Sequence, residues 1–437
     1  MNTNVLDFGA ISDGLCLCTK EIQNAIDACA SSGGGRVTVP SGTYLVGTLW
    51  LRDNVELHLE HSATLKASSN MEDYNALDAY EQNFSCRPEQ WVGKHLILAI
   101  ECQNVAITGT GTIDGSADCF MGELEFKSVH TWRKGIRFAK DKENLRPGQL
   151  ICFVECKKVL VENITITNYP CWGCFLHGSE FITIHGLKVF NNETHANTDG
   201  IDIDCCRYVT VSDCIIDTGD DGITLRGCEQ LLKKKRACEY VTITNCVIGV
   251  SASAIRVGVG GGKIRHIRIS NITVTRGSPI YIMTAYYGIG GVSIEDVTVS
   301  NVSGTNCLLP MKMYETAGVP LRNITLENFV VEADSYLEMS SDFSDSASDI
   351  TLRNWKLILN EPPKPTVEDD IKRMGTVWFR AKNLKRLKLE NFTVFDRNKY
   401  LDAWSDGIFS FDGCDDKVLK NVSVLDDDGN TVYNIEE

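Results

Sequence analysis

Residues 159–166 read Val-Leu-Val-Glu-Asn-Ile-Thr-Ile, two short alternating runs joined by Glu162 and Asn163. Alternation of apolar and polar residues predicts half-buried strands. An Asn between two strands suits a left-handed corner, because Asn and Asp tolerate positive φ. Copies of the pattern begin at residues 159, 181, 208, 240, 266 and 292, with spacings of 22 to 32 residues, and looser copies begin near 323, 349 and 387.

A repeat of this length without helices between the strands is typical of a solenoid. Each copy would form one coil, stacked on the next at about 4.8 Å. We therefore predict an all-β fold, a single-stranded right-handed parallel β-helix that forms one domain over residues 1–437. Residues 1–60 would form the N-terminal cap and first coils, and residues 385–437 the last coils.

One stretch near the start has a helical pattern, and it predicts a short capping helix over residues 19–30. Thr19 is its predicted N-cap, and three glycines at 33–35 end it. The apolar face of this helix consists of Ile22, Ala25, Ile26 and Cys29.

The repeated Asn also bears on the Asn-x-Ser/Thr sequences, which otherwise indicate glycan acceptors. We interpret six of them as corner residues at a repeated position: Asn163, Asn271, Asn301, Asn323, Asn391 and Asn421. Asn83 and Asn192 match the same motif, and the corner interpretation does not explain them.

The composition limits partners and compartment. With 43 Lys+Arg against 58 Asp+Glu, the net charge of −15 argues against nucleic acid or an anionic membrane as partner. The 18 cysteines are too sparse for a disulfide scaffold, and Cys171 and Cys174, a Cys-x-x-Cys pair, are interpreted as packing thiols rather than a redox pair. The chain begins without a signal-peptide pattern and has no membrane-helix stretch. We expect a cytoplasmic location.

Three insertions interrupt the repeat. Residues 68–91 and 119–148 are long, polar and contain aromatic residues, and loops on a rigid solenoid often bind ligands. Residues 231–236 contain the basic run Lys233-Lys234-Lys235-Arg236. We interpret that run as a solvated loop, with a subunit contact as the alternative.

The richest cluster of acidic residues is Asn197-Thr198-Asp199-Gly200-Ile201-Asp202-Ile203-Asp204, followed by Gly219-Asp220-Asp221-Gly222. Asp199 and Asp220 are 21 residues apart, about one coil, which predicts backbones roughly 5 Å apart on adjacent coils. Carboxylates this close cannot all ionise freely, so at least one pKa should rise. A protonated acid beside ionised carboxylates is what glycosidic cleavage needs. A calcium site or acidic turns remain the alternatives.

This cluster resembles the signature of glycoside hydrolase family 28, the polygalacturonase family. Most of the chain resembles that family, in the order Asp7-Phe8-Gly9-Ala10, Gly33-Gly34-Gly35, Pro40-Ser41-Gly42-Thr43-Tyr44, Gly111-Thr112-Ile113-Asp114-Gly115, Arg146-Pro147, and Pro170-Cys171-Trp172 followed by His177. The resemblance implies a pectinase-type β-helix and a glycosidase that needs no metal or other cofactor.

The resemblance also implies roles for individual residues. Asp220 would be the general acid, and Asp199 and Asp221 would activate water from the opposite side, giving inversion with an acid–base separation of about 6.5–9.5 Å. Asn197 would orient the site, and His177 would contribute to substrate binding.

Two family motifs are not matched. Ser253 stands where the family has the His of a Gly-His-Gly, and Tyr281-Ile282-Met283 stands where it has an Arg-Ile-Lys that holds a substrate carboxylate. Arg226 and Arg256 are candidate substitutes, since an arginine binds a carboxylate with a bidentate fork. The alternatives are exposed strand arginines and a neutral sugar stacked on tyrosine side chains, with Tyr281, Tyr286 and Tyr287 as candidates.

Three functions fit these observations. The first is an inverting, exo-acting glycosidase on short pectin-derived galacturonosyl or rhamnosyl oligosaccharides. The second is a uronate lyase, an epimerase or another glycoside-active enzyme on the same fold. The third is a β-helix that binds carbohydrate without catalysis.

Overall fold

The computed structural model describes residues 2–125, 135–143, 145–286, 290–359, 378–397 and 408–435. These residues belong to two compact units. The first unit contains the described residues up to 125, residues 135–223 and residues 229–236. The second contains residues 224–228 and the described residues from 237 onward, and the strand Ile223–Gly227 lies at the boundary.

Three parallel sheets contain most strands of the first unit, with five strands in the first sheet and seven in each of the other two. The first sheet contains Leu49–Trp50, Ile97–Ile100, Ile151–Val154, Cys174–His177 and Ile201–Asp204. The second contains Asn2–Asn4, Gly35–Val39, Val55–Leu59, Gln103–Gly109, Lys157–Glu162, Glu180–His185 and Arg207–Ser212. The third contains Asp13–Leu17, Gly42–Val46, Ala63–Ala67, Thr112–Asp114, Thr165–Thr167, Lys188–Phe190 and Ile215–Thr218.

In the second unit the strands run through the corners and are therefore longer. One ladder contains Cys238–Gly260, Lys263–Met283, Ser293–Cys307, Leu321–Ala333, Ala347–Leu359, Lys388–Asp396 and Val418–Leu425, followed by the antiparallel Thr431–Ile435. A further ladder starts from the end of Lys263–Met283 and contains Lys312–Glu315, Leu337–Ser341, Phe379–Lys382 and Phe409–Asp412.

Stacked parallel strands of this kind confirm the predicted parallel β-helix class. Equivalent residues lie side by side on successive coils, as where Val159 pairs with Ile182 and Ile182 with Val209. Their alternate side chains point into the core and are buried. Stacked rings fill the core of the second unit, with the Phe329 and Trp355 centroids 4.2 Å apart.

The corners confirm the interpretation of the repeated asparagines. All six predicted corner asparagines have φ between 52° and 61°. In the second unit, side-chain amides at one corner form a continuous ladder in which each Nδ2 donates to the Oδ1 of the preceding coil: Asn245, Asn271, Asn301, Asn328, Asn354, Asn391 and Asn421. Asn323 occupies a different corner, where its amide donates to Asp296 over 3.4 Å.

The capping helix spans Thr19–Ser31 and buries the four predicted residues. The prediction of Thr19 as N-cap was wrong, because the helix is capped by Cys18 and Thr19 is its first residue. The Thr19 hydroxyl instead accepts the N–H of Gly47 over 2.7 Å, which ties the helix to a neighbouring coil. Single 3₁₀ turns cover Val5–Phe8, Met71–Asp73, Ala117–Cys119 and Glu229–Leu231.

Lys233, Lys234 and Lys235 of the basic run are exposed, as expected for a solvated loop, and the run is also held by acidic side chains. Glu155 accepts the backbone N–H groups of Lys233 and Lys234 over 3.2 and 3.0 Å. The Lys233 ammonium pairs with Glu101, and Arg236 pairs with Glu180 over 2.5 Å. Glu101 and Glu155 follow equivalent strands of two coils, and Glu180 begins a strand of the next coil, so three glutamates hold this loop in the first unit.

All 18 cysteines are free thiols, and most are buried. Cys171 and Cys174 are fully buried, and burial raises the pKa of both thiols, as expected for packing residues. In the described part of the chain, no helix is both long enough and apolar enough to span a membrane.

Candidate active site

The two acidic loops lie on adjacent coils of the first unit. The N–H of Gly200 donates to the carbonyl of Asp221 over 2.9 Å, and the N–H of Ile201 donates to the carbonyl of Gly222 over 3.0 Å. On the coil before, the N–H of Gly173 donates to the carbonyl of Asp199 over 2.9 Å. The predicted stacking of Asp199 against the Asp220-Asp221 pair is therefore confirmed at the backbone.

Close approach between these coils requires glycine. A Cβ added at Gly200 would lie 2.6 Å from the carbonyl oxygen of Gly222, and one added at Gly219 would lie 2.4 Å from that of His195. The glycines that flank the aspartates therefore allow the two loops to stack directly, a reason beyond the flexible backbone that the sequence suggested.

A buried tyrosine forms hydrogen bonds beside both acidic loops. Tyr169 is wholly buried, and its hydroxyl lies 2.9 Å from Oγ1 of Thr218 and 3.3 Å from the carbonyl of Thr198. The Thr218 hydroxyl also donates to the carbonyl of Thr198. Burial raises the pKa of Tyr169, so this phenol stays protonated and serves as a neutral support.

The three carboxylates differ in exposure. Asp199 is 5% exposed and Asp221 is 1% exposed, whereas Asp220 is half-buried. The backbone N–H of Asn197 donates to Oδ2 of Asp220 over 3.0 Å. Asn197 has φ 53°, the left-handed conformation that asparagine tolerates. The structure thus brings together four of the predicted site residues.

His177 lies on the strand before Ile201–Asp204, but it is 1% exposed. Its ring stacks on Phe175 with centroids 5.4 Å apart, and Nδ1 lies 3.0 Å from Oδ2 of Asp204 without hydrogen-bond alignment. The contact available to His177 is therefore with Asp204, and its predicted contact with substrate stays a prediction.

Asp202 and Asp204 belong to the acidic stretch noted in the sequence, but the prediction gave neither of them a role. In Ile201–Asp204 the isoleucines point into the core, which directs both aspartates to the outer face. Register places Asp202 beside Phe175 and Asp204 beside His177. The alternation Ile-Asp-Ile-Asp carries this signal, since it is a strand with one acidic face.

An apolar cluster covers the outer face of the first sheet on the coils before the aspartates. Phe84 and Trp91, from the predicted insertion at 68–91, pack on Trp172 and Phe175. The centroids of Phe84 and Trp91 are 5.0 Å apart, and Trp172 lies 5.3 Å from Trp91 and from Phe175. This insertion is therefore folded onto the sheet rather than extended into solvent.

Arg146 is a further residue that the sequence prediction left without a role at the site. It is wholly buried, and its Nη2 donates to Oδ1 of Asn197 over 2.9 Å. Its Nη1 donates to the carbonyl of Ala196 over 2.7 Å. The predicted Arg146-Pro147 family motif was the one signal that could have drawn attention to it.

The remaining predicted binding residues lie in the second unit. Arg226 is 9% exposed and Ser253 is 1% exposed. Arg256 pairs in register with Tyr281, and its guanidinium lies 5.4 Å from the ring of Tyr281 and 4.6 Å from that of Tyr286. Arg256 and Tyr281 are thus brought together, and Tyr287 lies outside the described residues.

The part of the chain that the structure describes contains no group of three or more His, Cys, Asp or Glu side chains arranged to hold a metal ion. The expectation that the chemistry needs no metal remains a prediction, to be tested with a chelator.

Comparison with known proteins agrees with this geometry. The family model described as Glycosyl hydrolases family 28 matches residues 29–239, which include both acidic loops. A probable polygalacturonase from Vitis vinifera is 24% identical over 419 residues, covering 84% of this chain and 82% of that protein.

Solved structures share the fold. An exopolygalacturonase from Thermotoga maritima superposes with a TM-score of 0.68 at 21% identity, covering 90% of this chain and 91% of the other. A family 28 exopolygalacturonase from Yersinia enterocolitica has a TM-score of 0.69 at 21% identity, covering 99% of this chain and 79% of the other.

Proposed function

This chain belongs to glycoside hydrolase family 28 and is a glycosidase, and we propose that it is an inverting, exo-acting enzyme on short pectin-derived oligosaccharides. The observation that carries the proposal is the pair of acidic loops held on adjacent coils, with Asp199 and Asp221 shielded and Asp220 more exposed.

This difference in exposure suits an acid role for Asp220 and a base role for Asp199 and Asp221. Asp220, the more exposed acid, donates its proton to the glycosidic oxygen as the bond from that oxygen to the anomeric carbon breaks. Asp199 and Asp221 accept a proton from one water, whose oxygen bonds to the anomeric carbon from the opposite face. The product then has the inverted configuration, and the next cycle requires Asp220 to regain a proton.

Exo action is supported by the apolar cluster in the first unit. Phe84, Trp91, Trp172 and Phe175 occupy the outer face of the sheet beside the strand that carries Asp202 and Asp204. In this proposal a glycan bound across the aspartates ends at this face. The two similar solved structures named above are exopolygalacturonases, which fits this proposal.

The proposed substrates are galacturonosyl or rhamnosyl oligosaccharides. Arg256 lies against the rings of Tyr281 and Tyr286, a combination that can bind a sugar carboxylate and the face of a pyranose ring. This supports an acidic sugar even though the family Arg-Ile-Lys is not matched. We also propose a cytoplasmic location, where reduced thiols persist. Oligosaccharides short enough to be imported would then be the substrates.

A screen of aryl glycosides and pectic oligosaccharides with the purified chain tests this function, with Asp220→Asn as the inactive control. We expect one class of uronate or rhamnose glycoside to be shortened from one end, by wild type alone. A product absorbing in the ultraviolet would indicate a lyase, and an isomerised uncleaved sugar would indicate an epimerase. Binding without turnover by wild type would indicate a carbohydrate-binding β-helix.

A further inference from the structure

Arg146 links three parts of the first unit. Its Nη1 donates to the carbonyls of Pro170 and Ala196, both over 2.7 Å, and its Nη2 donates to the carbonyl of Glu89 over 2.9 Å and to Oδ1 of Asn197 over 2.9 Å. Its backbone pairs with Trp91 in a two-stranded parallel ladder. The insertion, the coil before the site and the Asn197 loop therefore meet at one guanidinium.

The arrangement is costly for stability alone. Arg146 is 0% exposed, and its four oxygen acceptors are uncharged carbonyl groups. In the described chain it forms no ion pair, and burying a guanidinium without a counterion is unfavourable. An apolar side chain would avoid the buried charge but leave these four oxygens without this donor, so the guanidinium calls for an explanation in terms of what its hydrogen bonds hold.

The bond to Asn197 supplies that explanation. Asn197 is held in a left-handed conformation, and its N–H contacts Oδ2 of Asp220. Arg146 donates hydrogen bonds to the carbonyl of Ala196, which belongs to the same peptide as this N–H, and to the side-chain oxygen of Asn197. The direction of the Asn197 N–H, and through it the position of the Asp220 carboxyl, therefore depends on the guanidinium.

We propose that Arg146 is a positioning residue for the general acid: it fixes the Ala196–Asn197 peptide so that the N–H of Asn197 holds Oδ2 of Asp220. This role rests on the proposed function of Asp220. Arg146 is fully buried and does not touch substrate, so its loss should lower kcat far more than it changes KM.

The positive charge of Arg146 adds a second, separable effect. Burial lowers the pKa of Arg146, and nearby acidic groups oppose that shift. The titratable groups that face it are Cys171, Glu89, Asp220, Asp199 and His195. A nearby cation favours the carboxylate form, so removing it should raise the pKa of the acid.

The test compares Arg146→Lys, Arg146→Gln and Arg146→Ala with wild type on the substrate found in the screen. A misplaced acid should lower kcat by about 100-fold in Arg146→Gln, with KM within about twofold of wild type. The alkaline limb of its kcat/KM profile should move up by about one pH unit, whereas Arg146→Lys, which keeps the charge, should leave that limb in place. Added guanidinium should restore part of the kcat of Arg146→Ala.

Arg207→Gln serves as the matched control, because Arg207 pairs with Glu180 away from these loops and should change neither kcat nor the limb. A folded Arg146→Gln with kcat within threefold of wild type would overturn the proposal. If Arg146→Ala does not fold, the Lys and Gln variants decide.

A second measurement separates failure of this inference from failure of the proposed function. Carbon-13 NMR titration of the Asp220 carboxyl in wild type and Arg146→Gln reports the coupling without turnover. An inactive wild type would reject the proposed function, while an unchanged Asp220 titration in the variant would reject the electrostatic effect of Arg146 whether or not the chain is active.

Discussion

The backbone N–H of Asn197 donates to Oδ2 of Asp220 over 3.0 Å. In Asp220→Asn the side-chain oxygen can still accept this hydrogen bond, but no acidic proton remains. We expect kcat to fall by about 10²–10⁴-fold with the melting temperature little changed. Asp217→Asn, at an exposed position of the strand Ile215–Thr218, is the control and should retain activity. If Asp220→Asn is as active as Asp217→Asn, Asp220 is not the general acid.

Phe84 contributes to the apolar cluster that is proposed to end the substrate groove. Phe84→Ala removes a ring that lies 5.0 Å from Trp91 and 6.2 Å from Phe175. We expect the variant to release longer fragments from an oligosaccharide, because space opens on the side that the ring occupied. Chromatography of early products measures this, with Phe190→Ala, an exposed ring 42% accessible, as control. An unchanged product length would show that Phe84 does not limit the groove.

The Asn ladder should stabilise the second unit through two separable effects. Asn301 donates to Asn271 and accepts from Asn328, and it has φ 56°. Asn301→Ala loses both bonds and strains the left-handed corner, so the free energy of unfolding should fall by about 2–4 kcal/mol. Asn301→Gly loses the bonds without that strain and should cost about 1–2 kcal/mol. Urea denaturation measures both, and equal losses would contradict the role of corner strain.

His95 should make stability depend on pH. Burial lowers its pKa to about 4, and the neutral ring bonds the carbonyl of Gln149 through Nδ1 and the Tyr80 hydroxyl through Nε2. In the unfolded chain its pKa is about 6.5, so between pH 6.5 and 4 the unfolded state binds more protons. The free energy of unfolding should therefore fall as the pH drops through this window, by on the order of 3 kcal/mol.

Urea denaturation across pH 4–7 tests the His95 prediction. His95→Gln should flatten the dependence, leaving a slope from His195, whose pKa burial also lowers to about 4. His61→Gln, in an exposed loop, is the control and should keep the wild-type slope. A His95→Gln slope as steep as that of wild type would contradict the assignment.

The fold class and the corner residues could be predicted from the sequence because they repeat. Alternating strands and a recurrent Asn at one corner report backbone conformation directly, and Asp199 and Asp220 are separated by about one coil. Arg146 could not be found in this way. Three of its partners are the backbone carbonyls of Glu89, Pro170 and Ala196. Because every residue has a backbone carbonyl, the sequence does not show which ones accept these hydrogen bonds.

Exposure was the other property that the sequence did not reveal. His177 follows a familial motif, yet Phe175 covers its ring and Asp204 lies beside it. The basic run at Lys233 looked solvated because it is polar, but the glutamates that hold it come from coils distant in sequence. Such contacts depend on how coils stack, which a single run of residues does not encode.

Proton NMR of the first product tests the central claim most directly. Wild-type chain is mixed with the oligosaccharide found in the screen, and the anomeric signal is recorded before mutarotation. If Asp199, Asp220 and Asp221 catalyse inversion at the anomeric carbon, the new reducing end first appears in the configuration opposite to that of the cleaved bond. A product that first appears with retained configuration, or that carries an unsaturated ring, would contradict it.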